Sequence, residues 1–126
     1  MLNVHASLLP KYRGASPIIY AIENHENKTG VSIMRIMPKK FDVGDILDQR
    51  EVSISDDVLM PQLHDQLADI GANLLMESIN NFNDLKPMKQ DESLASYGKC
   101  LMPFNCNLSN PLQLQKLTMN FVRCDG

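Results

Sequence analysis

The sequence predicts an α/β fold, and three observations carry that prediction. A short apolar run at residues 2–4 ends in a polar cluster and a Pro/Gly loop. Two more apolar runs, 31–37 and 46–54, have strand length and β-branched content, and a long segment after residue 57 repeats its apolar side chains at helical spacing. With 126 residues, 44% hydrophobic and 21% charged, the composition fits one globular unit or a fragment of a larger one.

Each element has a local reason. Residues 2–4 form a strand that begins directly after Met1 with no cap or polar lead-in, as in a protein whose front has been removed. Ser16 followed by Pro17, Ile18, Ile19 and Ile22 predicts a helix with Ser16 as its N-cap and proline at the first helical position, ending near Asn24. Lys28-Thr29-Gly30 reads as a turn into an interior strand over 31–37, and PKKFDVGD, residues 38–45, as a loop before a strand over 46–54. Ser55-Asp56-Asp57 offers caps for the longest helix. In it Leu63, Leu67, Ile70, Leu74 and Ile79 recur at spacings of 4, 3, 4 and 5, with Leu75 and Met76 widening the stripe. These are packing residues. From residue 83 onward Pro87, Gly98 and Pro103 interrupt every window, which is linker-like, although 112–122 is a candidate amphipathic turn or two.

The formal net charge of -3 argues against a wholesale basic surface for nucleic acid. Three cysteines, Cys100, Cys106 and Cys124, are odd in number and lack the paired spacing of a zinc site or a disulfide framework, which favours a reducing interior and no metal. No window approaches the roughly 20 apolar residues of a membrane-spanning helix.

Chemistry concentrates in two places. Asn3, His5 and Ser7 alternate, so they share one side of a strand end. Asp42 lies in KKFDVGD, where Gly44 permits a tight turn that aims the carboxylate back at the sheet. In an α/β unit the expected ligand position is the carboxyl end of the strands. An Asn, a His and an Asp on one pocket suit acyl transfer to an amine. Asn donates N–H groups to the oxyanion, His donates or shuttles a proton, and Asp raises the His pKa while accepting a proton from the amine or a water. Ser7 lacks a nucleophile elbow, which disfavours a serine hydrolase. Lys11, Arg13 and Lys39-Lys40 are candidate phosphate contacts, though loop basic residues are usually only solvated. His25, His64 and Asp45 receive no catalytic role.

NVHASLLPKYRG, the proline-started helix, TGVSIM and FDVGDIL together resemble the formyltransferase family that uses 10-formyltetrahydrofolate. The shared signature is an Asn-x-His pair, then SLLP, then an aspartate in a D-x-G-D-like loop. Here these are Asn3 and His5, Ser7-Leu8-Leu9-Pro10, and Asp42, 37 residues after His5. Within the family, RGASPI and IMPKKFDVGDIL look most like the branch that formylates methionyl-initiator tRNA, in its animal mitochondrial form.

That resemblance implies a catalytic trio of Asn3, His5 and Asp42, with the folate held by Ser7, Leu8, Leu9, Pro10 and Asp42. It implies a Rossmann-like domain with a parallel-containing sheet, of which 1–97 would be the C-terminal half, followed by a divergent tail over 98–126. Methionyl-initiator tRNA would be the acceptor, the full-length form a monomer, and the mitochondrial matrix the location. The half by itself is expected to be inactive. Two alternatives stand beside this: a relative with another acceptor (glycinamide ribonucleotide, an amino sugar or water), and a non-catalytic remnant.

Overall fold

The computed structural model describes residues 1–99. The tail's final 27 residues, with the three cysteines and the candidate helix at 112–122, lie outside the described residues. The elements run β1 (Leu2–His5), β2 (Arg13–Gly14), α1 (Pro17–Glu23), β3 (Lys28–Arg35), β4 (Ile46–Ser53), α2 (Met60–Asn80), a 3-10 turn (Glu92–Leu94) and β5 (Tyr97–Gly98). The α/β class stands as expected.

The main sheet has the order β1-β3-β4. Within it β3 runs antiparallel to both neighbours. Among the described residues parallel pairing occurs only between β2 and β5. Direction was invisible in the strand residues, since a buried central strand is apolar on both faces whichever way its neighbours run. β3 shows this, with six consecutive buried residues from Thr29 to Met34. The strand also starts at Lys28, so Lys28-Thr29-Gly30 is paired strand rather than turn, and it stops at Arg35 rather than at 37.

One face of the sheet carries α2. Val31 and Val52 pack with Leu63 and Leu67, while Ile33 and Leu47 pack with Leu74. A bulge makes this possible: pairing shifts between Ile33 and Met34, turning Leu47 toward α2 and Ile46 toward Met34 and Leu9 on the other face. Fully burying each of these leucines contributes about 1.5–3 kcal/mol. The helix sits close because Gly71 faces Val4, where an added Cβ would lie 2.8 Å from the valine methyl.

The buried stripe of α2 is Leu63, Leu67, Gly71, Leu74 and Ser78. This corrects the sequence pattern at its end. Steps of four, four, three and four keep to a 3.6-residue period, and Ile79, one position further, falls on the outer side and is 52% exposed, as Met76 also is. Both helix starts differ from expectation. Ser16 sits at φ 60 and makes no capping bond, so Pro17 alone marks the start of α1. For α2 the N-cap is Leu59, not a residue of Ser55-Asp56-Asp57, and Gln62 Oε1 accepts from the Leu59 N–H at 3.1 Å. A leucine side chain has no acceptor to return the exchange.

The linker-like stretch after residue 83 is tied to the fold. Met88 exchanges two backbone hydrogen bonds with Ile46, Ser96 N–H donates to the Pro10 carbonyl, and Arg13 N–H donates to the Ser96 carbonyl. It crosses the face opposite α2 as a strap.

Candidate active site

Strand pairing places the polar cluster. His5 lies opposite Ser32 and Asn3 opposite Met34, so their side chains share the face away from α2, while Val4 and its partner Ile33 share the α2 face. The 36–45 loop leaves β3 beside the start of β1 and folds back across that face. The cluster therefore lies on the face of β1, around the strand's carboxyl-terminal residue His5.

Asp42 meets both predicted partners. Its Oδ2 lies 3.3 Å from His5 Nε2, its Oδ1 accepts from Asn3 Nδ2 at 3.4 Å, and Oδ2 also accepts the Gly14 N–H at 2.8 Å. The turn that aims it is made by Asp42 itself, at φ 55, and aspartate is among the few side chains that tolerate this left-handed conformation. Gly44 serves another purpose. A Cβ there would overlap the Arg35 carbonyl oxygen, so glycine lets the loop close against the end of β3.

The protonation of His5 follows from its neighbours. Ser7 Oγ donates its only hydrogen to the Lys11 carbonyl at 2.6 Å, so it accepts from His5 Nδ1–H at 3.0 Å. The neutral ring then carries its proton on Nδ1 and leaves a lone pair on Nε2. Nε2 is buried and makes no hydrogen bond, although the Asp42 carboxylate is near. Burial lowers the His5 pKa below its ordinary 6.5, and the Asp42 charge and a Gly14 backbone contact oppose this without reversing it. Asp42 does raise the pKa, as expected, but desolvation of a side chain only 6% exposed outweighs the carboxylate.

The remaining predicted residues separate. Leu9 is core, packed with Met34 and Ile46. Leu8 and Pro10 border a second groove, on the side of Lys11 and Glu26. Ser7 supports His5. The structure thus brings Asn3, His5, Ser7 and Asp42 together and leaves Leu8, Leu9 and Pro10 outside the cluster.

Beside Asp42 opens a cleft of about 1170 Å³, bordered by Phe41, Lys39, Lys40, Lys89 and Glu92. Arg13, expected as a candidate phosphate contact, is fully buried. Its guanidinium donates to both Glu92 carboxylate oxygens at 2.8 and 3.0 Å, and to Tyr97 Oη and Gln90 Oε1, each at 2.9 Å. The pair with Glu92 raises the arginine pKa and lowers that of the carboxyl. Gln90, Glu92 and Tyr97 were missed in the sequence, where they stand in a stretch without period. His64 is exposed beside Asp65 and His25 is exposed at the end of α1, both remote from the cluster. Among the described residues no group of three His, Cys, Asp or Glu is placed to hold a metal ion.

The model of the family described as "Formyl transferase" matches residues 1–79. Similar proteins include the methionyl-tRNA formyltransferase of Levilactobacillus brevis, 45% identical over 81% of this chain and 33% of the relative. That of Fusobacterium nucleatum is 38% identical over 98% of this chain and 40% of the relative. The chain thus spans about a third to two-fifths of the length of the curated relatives it matches. Among solved structures, WlaRD, a sugar 3N-formyl transferase crystallised with dTDP and 5-N-formyl-THF, superposes with a TM-score of 0.73 at 31% identity. That alignment covers 78% of this chain and 36% of the other. Asn3, His5 and Asp42 all lie inside the stretch that the family model matches, and the chain belongs to the formyl transferase family.

Proposed function

We propose that these residues carry the formyl-transfer step of an enzyme that moves the formyl group of 10-formyltetrahydrofolate to the amino group of methionyl-initiator tRNA. The observation that carries this reading is His5 Nε2, buried and 3.3 Å from the Asp42 carboxylate. The donor fits the chain's own residues. An orphaned ring nitrogen faces Asp42, whose cleft has an exposed aromatic, Phe41, for a flat ring and lysines for an anionic tail.

The folate supplies a formyl group activated by its bond to nitrogen. Asn3, with an N–H to spare beyond its long bond to Asp42, donates to the formyl oxygen as negative charge develops there. His5 Nε2 takes the proton that the attacking amine loses and returns it to the departing nitrogen, while Nδ1–H stays anchored on Ser7. Asp42 stabilises the imidazolium in between.

Replacing Asp42 with Asn in the full-length enzyme that carries these segments should lower single-turnover formylation by about 100-fold or more, the range of general acid–base groups. A near wild-type rate would refute the assignment. The tRNA acceptor is supported by the names of the L. brevis and F. nucleatum relatives. One observation favours a second reading, an amino-sugar acceptor: the likeness to the sugar 3N-formyl transferase. Offering charged initiator tRNA and a dTDP-amino sugar in competition separates the two. For location we propose the mitochondrial matrix, on the wording IMPKKFDVGDIL. Fractionation of the endogenous product checks it, and recovery outside mitochondria would refute it.

A further inference from the structure

We propose that Gln90 is a positioning residue for Asp42, acting from the strap through the backbone of the 36–45 loop. This rests on the functional reading above. The Gln90 amide spends its whole donor capacity on that loop, with Nε2 donating to the Asp42 carbonyl at 2.9 Å and the Gly44 carbonyl at 2.8 Å. Its Oε1 accepts from Arg13 Nε at 2.9 Å. Arginine only donates and carbonyls only accept, so the amide has a single workable orientation.

Arg13 is in turn immobilised. It is fully buried, bonded to Glu92 and Tyr97, and stacked 5.6 Å from the Tyr97 ring centre. The next residue, Gly14, donates its N–H to the Asp42 carboxylate. Asp42 is therefore gripped twice from one rigid block, at its carbonyl through Gln90 and at its side chain through Gly14. A non-glycine residue at φ 55 persists where its surroundings over-determine it, and these two grips do so. Without Gln90 two carbonyls lose their partners, the loop relaxes, and the carboxylate leaves its place beside His5.

The test is a double-mutant cycle on kcat in the full-length enzyme carrying these segments. Gln90→Leu removes both donors. Gln90→Glu keeps the acceptor for Arg13 and removes the same donors. Each should lower kcat by about 10- to 100-fold, as expected for displacement of a catalytic group by about 1 Å. In an Asp42→Asn background each should cost less than about twofold, because a residue acting through Asp42 has nothing left to position. Equal losses in both backgrounds, or no loss in either, would overturn the proposal. Loss of the cooperative thermal transition in both variants would overturn it too, assigning Gln90 to the fold at large. If Asp42→Asn itself left the rate unchanged, the functional reading would fall instead.

Discussion

The two faces of the β1-β3-β4 sheet are built by different physics. Toward α2, Val31, Ile33, Leu63, Leu67 and Leu74 fill space through apolar contact. Toward the cleft, Ser32 is as fully buried as Val31, yet everything around it is a specific bond. Its Oγ accepts from Leu9 N–H at 3.0 Å and Gln49 Nε2 at 2.8 Å and donates to the Ser7 carbonyl at 2.6 Å. One face tolerates any side chains of suitable shape, while the other holds a loop and a histidine in fixed geometry. The polar face is where a reaction can be run, and it stays in place because the apolar face supplies the stability.

The comparison can be broken first on its apolar side. Leu63→Ala should destabilise by about 2–5 kcal/mol, since the residue is fully buried and its neighbours cannot all close the gap. Urea unfolding measures this, and a loss under about 1 kcal/mol would show that the face is loosely filled. On the polar side, Ser32→Ala should cost about 1–3 kcal/mol by stranding the Leu9 N–H. The Leu9 amide resonance should move with it, and an unmoved resonance would separate Ser32 from the SLLP turn.

The smallest effect concerns protonation. The folded state holds the His5 pKa below 6.5, so between that depressed value and about 6.5 the unfolded chain binds more protons. Stability should therefore fall as pH drops below about 6.5 and level off under the folded pKa. His5→Asn should flatten that part of the profile, and an unchanged slope would mean that His5 is not held neutral.

How much was legible follows the same division. The apolar face was read with little error, because Leu63, Leu67 and Leu74 repeat within one helix and β3 is a mostly apolar run. Asn3, His5 and Ser7 stood out by alternation, and Asp42 by its glycine-containing loop, before the family signature joined them. Gln90, Glu92 and Tyr97 were not reached, and Arg13 was expected at a phosphate rather than in bonds to them. Their bonds span 46 to 84 positions, and no local period records a partner so distant. Segment 83–99 looked like a linker because it is held by scattered side-chain bonds, a bridge to Ile46 and a two-residue pairing with β2, which leave no pattern in composition. Strand direction was lost for a related reason: burial on both faces constrains polarity and leaves orientation to the connections.

The strap also fixes an order of assembly. β3, β4 and α2 follow one another directly and can pack as soon as they exist, with short loops to close. Tyr12–Ser96 and Arg13–Glu92 close loops of 84 and 79 residues, so their entropy cost falls due late. In a chain emerging from the ribosome N-terminus first, the sheet and its helix are complete before Gln90 has been polymerised. Without residues beyond 85 the 36–45 loop loses the Gln90 bonds that hold its Asp42 and Gly44 carbonyls, and the chemical face loses its anchor while the apolar contacts between sheet and helix are untouched.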